Sequence, residues 1–252
     1  MSPWALPRRS ATASVAAMVT LLTLGAACSP GQAAHRPDQP AAAATPEADE
    51  PSPRRAIAAG LKVSEPGLAA VAERPDARFV ALDAPLFDRF RFFRVESLAP
   101  PHPVAFHVAV ATADAEVLHL NAAPERFAAV VGRDGVSVKT AADALALVGL
   151  WIETTRRTSK RYQAISTVEA LTLLPPPADA AEAAARKAKL EQARQGIAPP
   201  SAQPAGDGAW RVTVSVLDGQ TLQKLAVTVS KAGVLTTQST PVVTDLPLPY
   251  VH

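Results

Sequence analysis

From residue 56 onward the apolar positions of this chain change period several times, and each change marks an element. Residues 66–73 (PGLAAVAE) carry Pro66 at their start and Pro75 just beyond their end, which predicts a short helix. Residues 89–97 (RFRFFRVES) begin in alternation, Arg89 and Arg91 against Phe90 and Phe92, then lose phase at Phe93 and Val95. That predicts a strand with a bulge, or one buried on both faces. Residues 104–121 predict a hairpin. Phe106, Val108 and Val110 share one face, Leu118 and Leu120 share a face of the return strand, and a three-residue loop at 112–114 pairs Phe106 with Leu120 and Val108 with Leu118.

Helical spacing then takes over. Residues 124–131 place Phe127, Val130 and Val131 on one side, with Gly132 as the expected C-terminal stop. Thr140 and Asp143 have the spacing of a capping box and open a helix over 140–155. Its stripe is Ala144, Leu147, Val148 and Trp151, widened by Leu145 and Ile152, as in a core helix. Residues 162–174 are strand-like and stop at Pro175-Pro176-Pro177. Residues 178–195 predict a helix of another kind, with Leu190 its only large apolar residue, acids early and bases late. With the Pro/Gly-rich stretch 198–208 it forms an expected solvent-exposed insertion over 175–208. The chain closes in a three-strand meander. Residues 210–216 alternate, Asp218-Gly219 is a turn signal that pairs Val212 with Leu225 and Trp210 with Val227, and Ala232-Gly233 leads into a strand from Val234 towards Thr240. Helices and strands segregate rather than alternate, so the predicted fold is α+β with a mainly antiparallel sheet packed on the 140–155 helix, as one domain over 56–252. The meander with a helix across it bears a loose resemblance to cystatin-like and PepSY-type exported modules, a likeness of architecture only.

The N-terminal 27 residues follow a different logic. Arg8 and Arg9 precede an uncharged apolar run at 14–24, and Gly25-Ala26-Ala27 supplies small residues before Cys28, the one cysteine of the chain. Basic, apolar and small-residue zones in that order make an export signal, and the run is too short to span a bilayer as a mature helix. The segment Leu24-Gly25-Ala26-Ala27-Cys28 resembles the lipobox of bacterial lipoproteins. The resemblance implies cleavage after Ala27, lipidation of Cys28 and attachment to a membrane through palmitate and related chains. In that family Leu usually stands three residues before the cysteine; here Gly25 does, with Leu24 one step further out. Ser29, where an Asp can signal inner-membrane retention, implies the outer membrane facing the periplasm in a Gram-negative host. The alternative is plain secretion as a soluble periplasmic protein. Residues 29–55, rich in Pro, Ala and acids with almost no large apolar side chain, have the composition of a disordered tether, so 28–55 is expected to hold the domain off the membrane.

Charge narrows the partners. With Arg8 and Arg9 removed, the 25 basic residues of the chain fall to 23, equal to its 23 acidic ones. A neutral mature chain argues against nucleic acid as a partner and leaves an envelope protein or ligand as the expectation. The basic runs Arg54-Arg55 and Arg156-Arg157 with Lys160-Arg161 read as solvated surface.

Little chemistry stands out. Opposite each other in the hairpin register above, His107 and His119 are weak candidates for a metal site and, through it, for a hydrolase; two imidazoles still need a third ligand. Half-exposed sheet histidines are the plainer reading, and His102 between prolines is a loop residue. The Arg89–Ser97 segment, with Arg91, Arg94, Phe90, Phe92 and Phe93, offers a groove for an anionic or aromatic ligand or an edge for a partner strand. No nucleophile elbow, phosphate loop or dinucleotide motif occurs in the sequence, so it implies no cofactor and a non-enzymatic binding module. The alternative is a small-ligand carrier with its pocket between the sheet and the 140–155 helix.

Overall fold

The computed structural model describes residues 53–98, 103–157 and 161–249. The export signal, Cys28, the tether up to residue 52 and His102 lie outside the described residues. Residues 53–55, which composition assigns to the tether, form the first turn of helix α1 (Pro53–Leu61). The short α2 (Pro66–Glu73) spans the residues its prolines delimit.

The fold is α+β, with two antiparallel sheets. The first, in the order β1-β2-β3-β4, contains β1 (Arg78–Leu82), β2 (Phe90–Ser97), β3 (Val104–Ala111) and β4 (Val117–His119). The second contains β5 (Tyr162–Ile165), β6 (Ser201–Pro204), β7 (Trp210–Asp218), β8 (Thr221–Val229) and β9 (Leu235–Val243). Its order is β5-β7-β8-β9, and β6 pairs with β7 as well. Between the chain's two sets of strands come α3 (Pro124–Asp134) and α4 (Ala141–Thr155).

Strand β2 explains its own broken alternation. It pairs without a bulge to β1 and β3, and both its faces are buried. Phe90 and Phe92 join a core that also holds Leu147 and Val148 of α4 and Val212, Val214 and Val227 of the second sheet. Phe93 and Val95 join another, with Ile57 and Leu61 of α1 and Val71 of α2. The first sheet is thus a middle layer, and α4 lies between the two sheets as the central core helix. Each fully buried Leu or Val here contributes about 1.5–3 kcal/mol. Gly60 lets α1 approach β4, because a Cβ there would overlap the side chain of Val117.

Hairpin β3–β4 departs from the expected register by one residue. Val108 faces His119, Ala109 faces Leu118 and Val110 faces Val117. The loop is four residues, 112–115, closed by Ala111 N–H to Glu116 O at 2.9 Å, with Ala115 at φ 56° and Asp114 Oδ1 accepting from Glu116 N–H. A one-residue slip turns the return strand over. Leu118 and Leu120 therefore face α4 beside Ala109, while Phe106 and Val108 pack with Val117 against α1 and α2.

Other boundaries move too. Helix α3 runs through Gly132 and ends at Gly135, whose φ of 77° makes it the left-handed cap. The 162–174 segment is strand only to Ile165 and then makes a 3-10 turn at Val168–Ala170. Helix α5 (Ala180–Gly196) is mostly exposed, as expected, but it is tied down rather than free. Ala193 is fully buried, Leu190 packs beside it, and Gln192 Nε2 donates to Val242 O of β9. The stretch expected to be flexible at 198–208 includes β6, which pairs with the first half of β7. In the meander the two-residue turn is Gly219-Gln220, so Val212 faces Val227 and Trp210 faces Val229, two residues from the expected pairs. The extended tail buries Leu246 and Leu248 against Leu217 and Leu222.

Candidate ligand cleft

The site is built around the C-terminal end of α4. That helix starts with its capping box in place: Asp143 N–H donates to Thr140 Oγ1 at 3.1 Å, and Thr140 N–H to Asp143 Oδ2 at 2.9 Å. It ends without glycine, so its last carbonyls need partners from elsewhere. The segment after β4 supplies them. Ala122 N–H donates to Thr155 O at 3.0 Å, and Asn121 Nδ2 donates to Arg156 O at 2.9 Å.

Asn121 also reaches the buried His107, which is 1% exposed. His107 N–H donates to Asn121 Oδ1 at 2.5 Å, and Asn121 Nδ2 lies 3.2 Å from His107 Nδ1. Two backbone groups fix which end of the amide is oxygen and which is nitrogen, so Nδ2 donates to Nδ1. The imidazole is then the Nε2–H tautomer, and it donates to Glu153 Oε1 at 3.2 Å. That bond is the main cause holding the Glu153 carboxyl below its ordinary range, with burial opposing it and Arg156 and Arg94 assisting. Arg156 pairs with the same Glu153 oxygen at 3.1 Å. A satisfied buried network of this kind pins a helix end to a sheet.

Over this end lies a cleft of about 330 Å³, lined by Ala122, Pro124, Trp151, Thr155, Arg156, Arg157, Tyr162 and Asp218. Trp151 and Tyr162 are half-buried aromatic walls from α4 and β5. Burial, and secondarily the negative Asp218, raises the Tyr162 phenol above its ordinary pKa, so it remains a neutral hydroxyl. A second hollow, about 320 Å³, is lined by Phe127, Ala128, Val131, Val234, Leu235 and others, and shares Pro124 and Trp151 with the first.

The two candidate metal-binding histidines do not meet. The register slip puts His107 on the α4 face and His119 on the face towards α1 and α2, where its ring stands edge-on to Phe106 with centroids 6.0 Å apart. His119 Nδ1 lies 3.4 Å from Glu65 Oε1, which also takes Arg126 at 3.4 Å. Burial lowers the His119 pKa below 6.5, more than Glu65 raises it. Among the described residues no three His, Cys, Asp or Glu side chains are grouped to hold a metal. The Arg/Phe strand does not form one groove either. β2 is paired on both sides, so it is no edge, and its phenylalanines are divided between two cores. Arg94 pairs with Glu96 at 3.4 Å, while Arg91 lies exposed.

The alternative expectation of a pocket between the sheet and the 140–155 helix names none of these lining residues. Trp151 was legible only as core stripe, Arg156-Arg157 only as solvated surface, and Asp218 only as a turn signal. The α+β fold, with α4 between two sheets, carries an aromatic, arginine-edged cleft at the end of that helix. No family model, curated protein or solved structure matches the chain.

Proposed function

We propose that this chain is a lipid-anchored, extracytoplasmic binding protein without catalytic activity, and that its ligand site is the cleft at the end of α4. The cleft carries this reading. Its volume falls at the lower end of the range for small-molecule sites, and it combines apolar walls with a few polar groups that converge from α4, β5 and β7. The end of α4, which forms one of its walls, is held by a buried hydrogen-bond network, so that wall is pre-formed and binding orders little of it. The anchor rests on the lipobox-like Leu24–Cys28 segment and the Pro/Ala-rich run that follows it. An envelope protein presenting its ligand is the natural partner for such a module.

Two experiments test the two halves. A thermal-shift screen of small envelope metabolites against the full chain is expected to give hits that Trp151→Ala removes; a screen that moves nothing sinks the binding role. Radiolabelled palmitate is expected to enter the wild-type chain and not Cys28→Ser, which should leave the membrane fraction. Unlabelled wild type, or a membrane-bound and normally processed Cys28→Ser variant, sinks the anchor.

A further inference from the structure

We infer that the cleft takes an acid with an apolar body, such as an arylalkyl carboxylate, its anionic head at Arg157 and its body carried past Trp151 into the hollow beside α3. This rests on the reading of the cleft as a ligand site and adds the ligand's chemistry.

The charged groups of the cleft are unequally engaged. Arg156 is held by Glu153 at 3.1 Å. Asp218 accepts from Gln223 Nε2 at 3.4 Å and is not otherwise free. Arg157 is exposed on the rim and has no acid partner among the described residues. A cationic ligand would be drawn by unsatisfied carbonyls at the end of a helix. Here the carbonyls of Thr155 and Arg156 are already taken by Ala122 N–H and Asn121 Nδ2. What remains on offer is a guanidinium, which suits a carboxylate in a two-pronged pair. The neutral Tyr162 hydroxyl lines the same cleft as a further donor.

The body follows from the second hollow. Each space alone accommodates a small ligand, and Pro124 and Trp151 line both. One is polar at its rim and the other is walled by Phe127, Val131, Val234 and Leu235, of which Val234 is 62% exposed. A ligand polar at one end and apolar at the other fills both, and a hydrophilic anion fills only the first. Covering this hollow also removes apolar surface from water, at roughly 25 cal/mol per Å².

The full chain in lipid nanodiscs, with empty discs as reference, is titrated calorimetrically with phenylbutyrate, phenylbutanol, phenylbutylamine and acetate. Phenylbutyrate is expected to bind saturably, with phenylbutanol and acetate each weaker by about tenfold or more and the amine weaker still. Arg157→Gln, at an exposed site, should weaken phenylbutyrate about tenfold and leave phenylbutanol unchanged. Ala128→Trp, on the exposed side of α3, should weaken both alike. Equal or tighter binding of the alcohol or the amine overturns the acid inference and leaves the cleft reading standing. Acetate as tight as phenylbutyrate overturns the role of the hollow. Binding by none of the four overturns the inference, while the cleft reading stands or falls on the thermal-shift screen.

Discussion

Asn121 holds His107 at two points, accepting its backbone N–H at 2.5 Å and donating to its ring Nδ1 at 3.2 Å, and the same amide nitrogen holds Arg156 O at the end of α4. One buried side chain thus joins β3 to the helix that lines the cleft. Replacing it with leucine strands a buried donor and a buried ring acceptor together. Asn121→Leu is expected to lose about 2–3 kcal/mol, read from urea unfolding. Long-range nitrogen–proton correlation in the wild type should show His107 protonated at Nε2. A variant as stable as wild type, or a ring protonated at Nδ1 alone, would contradict the network.

His119 makes stability depend on pH in a defined direction. In the unfolded chain it takes a proton near 6.5, whereas in the fold burial delays this to lower pH. The unfolded state therefore binds more protons in the window between the folded value and 6.5, and stability is lost as pH falls through it. His119→Gln should flatten that part of a stability profile taken from about pH 8 to pH 5. An unchanged slope would assign the effect elsewhere.

Two glycines of α3 should respond in opposite ways. Gly132 lies inside the helix, and a Cβ there meets nothing within 4 Å. Gly132→Ala is expected to stabilise by about 0.5–1 kcal/mol. Gly135 is the cap at φ 77°, where a side chain is strained in open space, so Gly135→Ala should cost about 1 kcal/mol. The reverse order in thermal melts would put the helix end back at Gly132.

The C-terminal tail is structural despite its position. Leu248 is fully buried against the far end of the second sheet, and Gln220 Nε2 donates to its carbonyl at 2.7 Å. Leu248→Ala should cost about 2–5 kcal/mol in chemical unfolding. A loss below about 1 kcal/mol would mean the tail is not packed in solution.

The two hairpins show what pattern reading reaches. In β7–β8 the expected register is off by two residues, because Gly219, at φ 64°, takes the first turn position rather than the second. Two residues is one full period of a strand, so Val212 and Val227 still share a face and the core was still read correctly. In β3–β4 the shift is one residue, half a period, and it separates His107 from His119. The apolar pattern cannot distinguish the two registers there, because both faces of that sheet are buried and either register satisfies it. Helix α4 was legible throughout, since its capping box and stripe are local. The cleft was not, because Trp151, Arg157, Tyr162 and Asp218 come from separate elements and none announces a ligand alone.

The sequence by itself determined the α+β class, the core helix from its capping box, the β-strand meander from its alternation, and the expectation of export and lipidation from the zones before Cys28. These depend on neighbours within a few residues, where propensity and periodicity act. Only the tertiary structure decided which face of β4 meets α4, that the tail and α5 close one end of the second sheet, and that an asparagine after β4 finishes the helix that builds the cleft. Those outcomes turn on loop closure and on partners for buried polar groups, and both are settled by residues far apart in the chain that meet only when it folds.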